Sequence, residues 1–156
     1  MKSQHELDLY FLNKTIQLAQ KANDEDEVPV GALCVNSENK IIASAYNKKE
    51  STQSVTAHAE ILTLLKANKK FNSWRLEGCT LYSSLEPCLM CAGAIIAARI
   101  KRVVYACEDI KGGAESCARI FSDVTTNHRV EVNFVKISKS EIILKEFFKK
   151  KRKIKK

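Results

Sequence analysis

The stretch Glu86-Pro87-Cys88-Leu89-Met90-Cys91 follows a strand-like run and precedes a run of small and apolar residues. Proline is favoured in the first turn of a helix, because its missing N–H would have no partner there. The two cysteines are three residues apart, so a helix that begins at Pro87 places both sulfurs on one face of its first turn. Free N–H groups and the helix dipole stabilise thiolates at such a place. The stretch therefore predicts a helix that presents two metal-binding thiolates.

A second stretch, Thr56-Ala57-His58-Ala59-Glu60, supplies an imidazole. Two thiolates and one imidazole suit zinc, which binds sulfur and nitrogen tetrahedrally. A structural zinc normally has four protein ligands, but the other two histidines lie in distant segments. The set His58, Cys88 and Cys91 leaves a fourth position for water, which is typical of a catalytic zinc site. Zinc makes hydroxide available from that water at neutral pH.

Glu60 lies two residues after His58, at the predicted start of the same helix. Hydrolysis requires a proton carrier between the water and the leaving group, and a carboxylate at this place can act as that carrier rather than as a ligand. A His-x-Glu pattern is weak evidence by itself, because many helices begin with acids and a histidine. Its combination with Pro-Cys-x-x-Cys is the specific signal of a zinc-dependent hydrolytic enzyme.

The rest of the chain alternates helical and strand-like hydrophobic patterns. The predicted helices are 5–22, 58–69, 87–99, 115–121 and a last one from Ser140, and the predicted strands are 28–35, 40–46, 79–85, 102–107 and 129–135. This alternation predicts an α/β fold in which helices cover both faces of a central sheet. Because no repeat or low-complexity linker interrupts the pattern, we expect residues 1–156 to form a single domain.

The positive charge is concentrated at the C-terminus. Residues 145–156 contain eight Lys or Arg and one acid, and so hold +7 of the net charge of +8. This basic helix and tail is either a solvated end or a surface that binds nucleic-acid phosphates. The charge alone leaves both interpretations open.

Neither a signal peptide nor an apolar run of about 18 residues, the length of a membrane-spanning helix, is visible in the sequence. We therefore expect a cytoplasmic protein with no membrane partner. Six cysteines are few for a disulfide scaffold in a chain of 156 residues. Cys34, Cys79 and Cys107 lie in or beside apolar runs, and we expect them to be buried in the core.

The sequence resembles the bacterial tRNA-specific adenosine deaminases over nearly its whole length, and His-x-Glu with Pro-Cys-x-x-Cys is the signature of zinc nucleobase deaminases. The matching stretches are 27–32, 56–61, 85–94, 127–132 and Phe147-Phe148 before basic residues. The resemblance implies a cytidine deaminase-like fold, which is a three-layer α/β/α sandwich with a mixed five-stranded sheet. It also implies a homodimer whose substrate groove draws on both subunits.

The resemblance assigns a role to several residues. It implies that His58, Cys88 and Cys91 bind one Zn2+ per subunit and that Glu60 moves the proton. The implied substrate contacts are Asn47, Val30, Leu85, Asp109 and Arg152. Ordinary structural interpretations stay open, because Asn47 and Asp109 are also typical of turns and helix caps, and Phe147 and Phe148 have the spacing of core-facing residues.

Three functions are compatible with these observations. The first is hydrolytic deamination of adenosine to inosine at the wobble position of the tRNA anticodon, with the anticodon stem-loop as the partner. The second is deamination of a free base or nucleoside, which the zinc site does not exclude but which has no use for a cationic C-terminus. The third is a zinc module that only binds RNA. The presence of Glu60 and the missing fourth ligand argue against this third function.

Overall fold

A computed structural model describes residues 1–155, which contain one five-stranded sheet in the order β2-β1-β3-β4-β5. The strands are β1 (Gly31–Val35), β2 (Ile41–Tyr46), β3 (Thr80–Ser83), β4 (Arg102–Tyr105) and β5 (Glu131–Phe134). Strand β1 is antiparallel to both of its neighbours, whereas β3, β4 and β5 are parallel. The mixed sheet confirms the predicted fold class. Lys156, the last residue of the predicted basic tail, lies outside the described residues.

Helices cover both faces of this sheet. They are α1 (Gln4–Asp24), α2 (Lys49–Thr52), α3 (Ala59–Phe71), α4 (Leu89–Ala97), α5 (Ala114–Ala118), which is followed by a 3₁₀ turn (Ile120–Ser122), and α6 (Ser138–Ile154). Alternate strand residues point to opposite faces, so Leu33 and Tyr82 pack with Phe11 of α1, while Cys34 and Leu81 pack with the α3 and α4 side. The result is the expected three-layer α/β/α sandwich.

Helix α1 packs so closely on β1 that only glycine fits at position 31. A Cβ atom on Gly31 would lie 2.2 Å from the carbonyl oxygen of Thr15. Two turns earlier on the same face of the helix, the Asp8 carboxylate accepts two hydrogen bonds from the Arg102 guanidinium, at 2.7 and 2.6 Å, and one from the Tyr82 hydroxyl at 2.8 Å. These contacts join α1 to β1, β3 and β4.

The predicted elements are confirmed in type, with corrections at their ends. Helix α4 begins at Leu89, with Cys88 as its N-cap, so the predicted start at Pro87 is wrong by two residues. Proline fixes its own φ and also restricts the residue before it to extended backbone. In this chain the extended backbone continues through Cys88, so Leu89 is the first helical residue. The predicted helix over 115–121 is broken at Arg119, where φ is +49° and α5 ends.

One helical feature differs from the sequence prediction. The short helix α2 was not predicted, because four residues are too few to show a hydrophobic period. The predicted C-terminal helix is present and extends as far as Ile154, and Lys151 pairs with Asp26 at 2.7 Å. Within residues 1–155, no helix combines the length and the apolar character needed to cross a membrane. Cys34, Cys79 and Cys107 are buried as predicted.

Candidate active site

The predicted site residues come from different segments but meet at one end of the sheet. Val30 precedes β1, Asn47 follows β2, and Leu85 and Asp109 follow β3 and β4. Since β1 runs antiparallel to β3, its beginning lies beside the end of β3, where Ser84 Oγ accepts a hydrogen bond from the Gly31 N–H at 3.0 Å. Helices α3 and α4 both begin at this edge, with His58 and Cys88 as their N-caps.

The three predicted ligands lie in the arrangement that one metal ion requires. The imidazole Nδ1 of His58 is 3.7 Å from the Sγ atom of Cys88 and 3.5 Å from that of Cys91. All three ligand atoms lie within 4.8 Å of one another. A sulfur and a nitrogen that bind one tetrahedral zinc at about 2.3 and 2.0 Å are roughly 3.5 Å apart. The donor set and its spacing therefore fit zinc.

The protein environment prepares one of the two thiols as a thiolate. A hydrogen bond from Cys91 and another from His58 lower the pKa of Cys88 to about 3. The same hydrogen bond between the sulfurs, together with burial, raises the pKa of Cys91. The hydrogen bond to Cys88 raises the pKa of His58, although burial opposes that change. Binding of a cation here displaces the remaining protons, because zinc binds thiolate and neutral imidazole.

Glu60 is buried beside this ligand set, with 4% of its surface exposed. Burial raises the pKa of its carboxyl group to about 7. An acid with a pKa near neutrality can both accept and donate a proton under physiological conditions. The position of Glu60 and its environment thus suit a proton carrier.

A cavity of about 270 Å³ opens over the ligands and contains most of the predicted contact residues. Val30 and Leu85 form apolar walls, while Asn47 and Asp109 contribute polar groups, and His58, Glu60 and Cys88 also line it. The remaining predicted contact, Arg152, lies in an adjoining groove of about 610 Å³. Leu85, Asp109 and Phe148 line both the cavity and this groove, so the two adjoin each other.

Both predicted polar contacts also have the structural roles that the sequence left open. The Asn47 side-chain oxygen accepts a hydrogen bond from the Ala59 N–H at 2.7 Å, beside the first turn of α3. This bond fixes the amide, so that its NH₂ group is left to face the cavity. The Asp109 carboxylate accepts from the N–H groups of Lys111 and Gly112, which closes a tight turn.

One interpretation of the C-terminal helix is wrong. Phe147 is buried, as expected of a core-facing residue, but Phe148 is 44% exposed and lines the cavity. Successive residues of a helix point about 100° apart, so two adjacent phenylalanines cannot both face the same core. Helix α6 therefore packs against the start of β1 through Leu144 and forms one wall of the cavity through Phe148.

Glu86 is a structural residue of the site that the sequence analysis did not single out. Its buried carboxylate accepts hydrogen bonds from the N–H groups of Asp109 and Ser116, at 3.1 and 2.8 Å, and from the Ser116 hydroxyl. Gly113 packs against it, because a Cβ atom there would lie 2.0 Å from Glu86 Oε2. Glu86 thus joins the metal-ligand turn to the loop that carries Asp109.

Glu27 has a matching role on the opposite side of the cavity. It accepts hydrogen bonds from the N–H groups of Glu50 and Ser51, both at 2.8 Å, and so caps the start of α2. Burial by itself would raise the pKa of Glu27, but these backbone hydrogen bonds outweigh burial and lower it. The only sequence signal was its place as the first residue of the matching stretch 27–32, which did not indicate a cap.

Comparison with known proteins places this architecture in a family. The sequence profile of the MafB19-like deaminases matches residues 8–152. The tRNA-specific adenosine deaminase of Aquifex aeolicus is 42% identical over 142 residues, which cover 90% of this chain and 93% of that protein. This chain belongs to the tRNA-specific adenosine deaminase family.

Solved structures of deaminases agree with this assignment. A structure from a study of A-to-I editing by tRNA:A34 deaminases at the wobble position of transfer RNA is 40% identical. The two structures superpose with a TM-score of 0.83, and the match covers 87% of this chain and 99% of the chain in that structure. The guanine deaminase of Bacillus subtilis is 30% identical, with a TM-score of 0.62 and coverage of 90% and 92%. The backbone thus shares the deaminase fold with both proteins.

Loss of one ligand tests the metal site of this deaminase. We expect the purified protein to hold one zinc per chain, and Cys88→Ser to lose most of it, because a hydroxyl is a poor substitute for a thiolate ligand. The variant is also expected to unfold more readily, since metal binding contributes to folding. Elemental analysis and thermal denaturation measure the two effects. The control is Cys117→Ser, which removes an exposed thiol outside the site, and equal zinc loss in the control would contradict the assignment.

Proposed function

We propose that this protein hydrolytically deaminates adenosine to inosine at the wobble position of a tRNA anticodon, acting in the cytoplasm with residues 1–156 as a single domain. The observation that carries the proposal is that one cavity is lined by His58, Cys88 and Glu60, with Cys91 completing the metal-ligand set beside it. The family assignment supports tRNA as the substrate class. The reaction consumes adenosine and water and produces inosine and ammonia.

His58, Cys88 and Cys91 hold the zinc in this proposal. When bound there, zinc lowers the pKa of a coordinated water from 15.7 to about 7 and so supplies a nucleophile at neutral pH. Glu60 accepts the proton of the attacking water and delivers it to the purine ring nitrogen next to carbon 6. It then takes the remaining proton of that water, from the hydroxyl now bound to carbon 6, to the departing amino group, which leaves as ammonia while the C–O bond becomes a carbonyl. The buried position of Glu60 keeps bulk water from competing for these protons.

The cavity walls orient the base. Val30 and Leu85 offer apolar surfaces to the two faces of a purine, and the Asn47 NH₂ group donates to an acceptor on its edge. Asp109 lies at the cavity mouth, where it faces the ribose and backbone. A loop nucleotide is already unstacked, so little energy is spent in placing it in the cavity.

The charge distribution favours RNA over a free base. A free purine is uncharged and gains nothing from the Lys and Arg side chains of α6. Lys145, Lys149 and Arg152 line the groove that adjoins the cavity. Lysine and arginine side chains in such a groove neutralise phosphates and release counterions. We propose that Arg152 contacts the anticodon stem-loop in this groove.

Removal of the Glu60 carboxylate tests catalysis separately from binding. We expect Glu60→Gln to bind zinc and tRNA normally but to form inosine about 10²–10⁴-fold more slowly, which is the usual contribution of a placed general acid–base. Single-turnover assays on an anticodon stem-loop measure the rate. The control Glu38→Gln changes a surface carboxylate paired with Lys40. A Glu60→Gln variant with the wild-type rate would assign the proton transfer to another residue.

A charge-matched pair of double variants tests the substrate class. Lys149→Gln with Arg152→Gln removes two cations from the groove, whereas Lys150→Gln with Lys153→Gln removes two exposed cations that do not line it. We expect only the first pair to weaken stem-loop binding and to reduce its salt dependence, by roughly 0.7 in slope per lost phosphate contact. Equal effects of the two double variants would mean that stem-loop binding depends on the net charge of the protein and not on the groove. A wild-type preference for free guanine or cytosine over the stem-loop would overturn the tRNA assignment.

We also propose that the protein is a homodimer. Leu65, Trp74, Leu89 and Met90 on and beside α3 and α4 expose apolar surface. Leu65 and Trp74 line a shallow apolar depression of about 240 Å³ between these helices. Contiguous apolar surface of this kind is typical of protein interfaces. A second copy of the same chain covers it in a symmetric pair.

Sedimentation experiments test the dimer. We expect the wild-type protein to have twice the chain mass of 17.6 kDa and Leu65→Asp to sediment as a monomer, because a buried unpaired carboxylate is strongly unfavourable. The control Ile142→Asp alters an equally exposed apolar residue on α6. A wild-type monomer, or a Leu65→Asp variant that stays dimeric at micromolar concentration, would contradict this interface.

A further inference from the structure

Lys49 is a cation at the cavity that neither the metal site nor the basic helix α6 explains. It is the first residue of α2 and lines the same cavity as His58, Asn47 and Glu60. Its side chain is exposed to solvent at the mouth. Among residues 1–155, no carboxylate lies within 4.0 Å of its amino group. The charge of Lys49 is therefore available to a ligand.

The backbone around Lys49 is held by hydrogen bonds to residues outside the four-residue helix α2. Glu27 binds the N–H groups of Glu50 and Ser51, directly after Lys49. On the other side, the Lys48 N–H donates to the Ala57 carbonyl at 3.0 Å, and the Asn47 N–H donates to Val30 at 3.1 Å. Lys49 is thus held in a fixed position between Asn47, which faces the cavity, and the first turn of α2, which Glu27 caps.

Lys49 differs in charge from the other residues of the cavity. The groove beside the cavity holds acids and lysines together, namely Glu25, Asp26, Glu50, Lys151 and Lys155. Among the described residues that line the cavity itself, Lys49 is the one lysine or arginine, whereas five carboxylates line it. Without Lys49, an RNA phosphate at this cavity would meet a lining in which carboxylates outnumber cations.

We propose that Lys49 binds a phosphate that flanks the target nucleotide. The inference rests on the proposed function, because a base that enters the cavity leaves its two flanking phosphates at the mouth. Residues of both α2 and α6 line the cavity, but Lys149 and Arg152 of α6 line the adjoining groove and not the cavity itself. Lys49 of α2 supplies positive charge at the cavity. The strand is then held on both sides of the extruded base.

Lys49→Gln tests this contact, and Lys48→Gln is its matched control. The control removes the same charge one residue earlier, where the amino group lies over the Tyr46 ring, 4.9 Å from its centre, and does not line the cavity. We expect Lys49→Gln to raise the KM for an anticodon stem-loop about two- to fivefold and to reduce the salt slope of binding by about 0.7. The kcat and the zinc content are expected to stay at wild-type values.

Stem-loops with a neutral methylphosphonate on one side of the target adenosine identify the phosphate. One of the two substitutions should weaken binding by the wild-type protein and by Lys48→Gln, yet leave binding by Lys49→Gln unchanged. Equal losses in all three proteins, or an unchanged salt slope in Lys49→Gln, would overturn the proposal. Inosine measured in the same samples reports the proposed function separately. Binding that depends on Lys49 without any inosine would support the contact and overturn the deamination.

Discussion

Two helix N-termini have to meet at one point for this site to exist. His58 caps α3 and Cys88 caps α4, so the positive ends of two helix dipoles converge on the metal ligands. Such a convergence is unfavourable unless negative charge lies between the helices. The thiolate of Cys88 supplies that charge. The positive field that stabilises the thiolate also reduces the competition of protons for it, so the ligand is ready for a metal ion at neutral pH.

Two buried carboxylates hold the segments that form the walls of the cavity. Glu27 holds the start of α2 on one side, and Glu86 holds the Asp109 loop on the other. Each accepts backbone N–H groups, so neither wall depends on flexible side-chain pairs. Loop walls are normally the most mobile parts of a site. Fixed loops keep Asn47 and Lys49 in place before a substrate arrives, which reduces the ordering cost of binding.

The sequence predicted most of the architecture because hydrophobic periods are local. The metal ligands could also be predicted from the sequence, because the Cys-x-x-Cys spacing and one nearby histidine leave few other candidates. The structure brings those three residues together. The roles of Glu27 and Glu86 were not accessible, because their partners are backbone groups 23 to 30 positions away and backbone groups leave no signature in a sequence. Phe148 was misassigned for a related reason: adjacent aromatic residues show apolar character but not which one faces a cavity.

The contact between Glu86 and Gly113 has a consequence for how this protein can change. A side chain at position 113 collides with the carboxylate, and a shorter residue at position 86 leaves the N–H groups of Asp109 and Ser116 without their acceptor. Either substitution alone is therefore expected to destabilise this loop, and the effects of the two substitutions are expected to be non-additive, because the two residues are in contact. An engineer who exchanges the segment 109–116 between relatives has to transfer the residue at position 86 with it, although the two lie more than twenty positions apart in the chain.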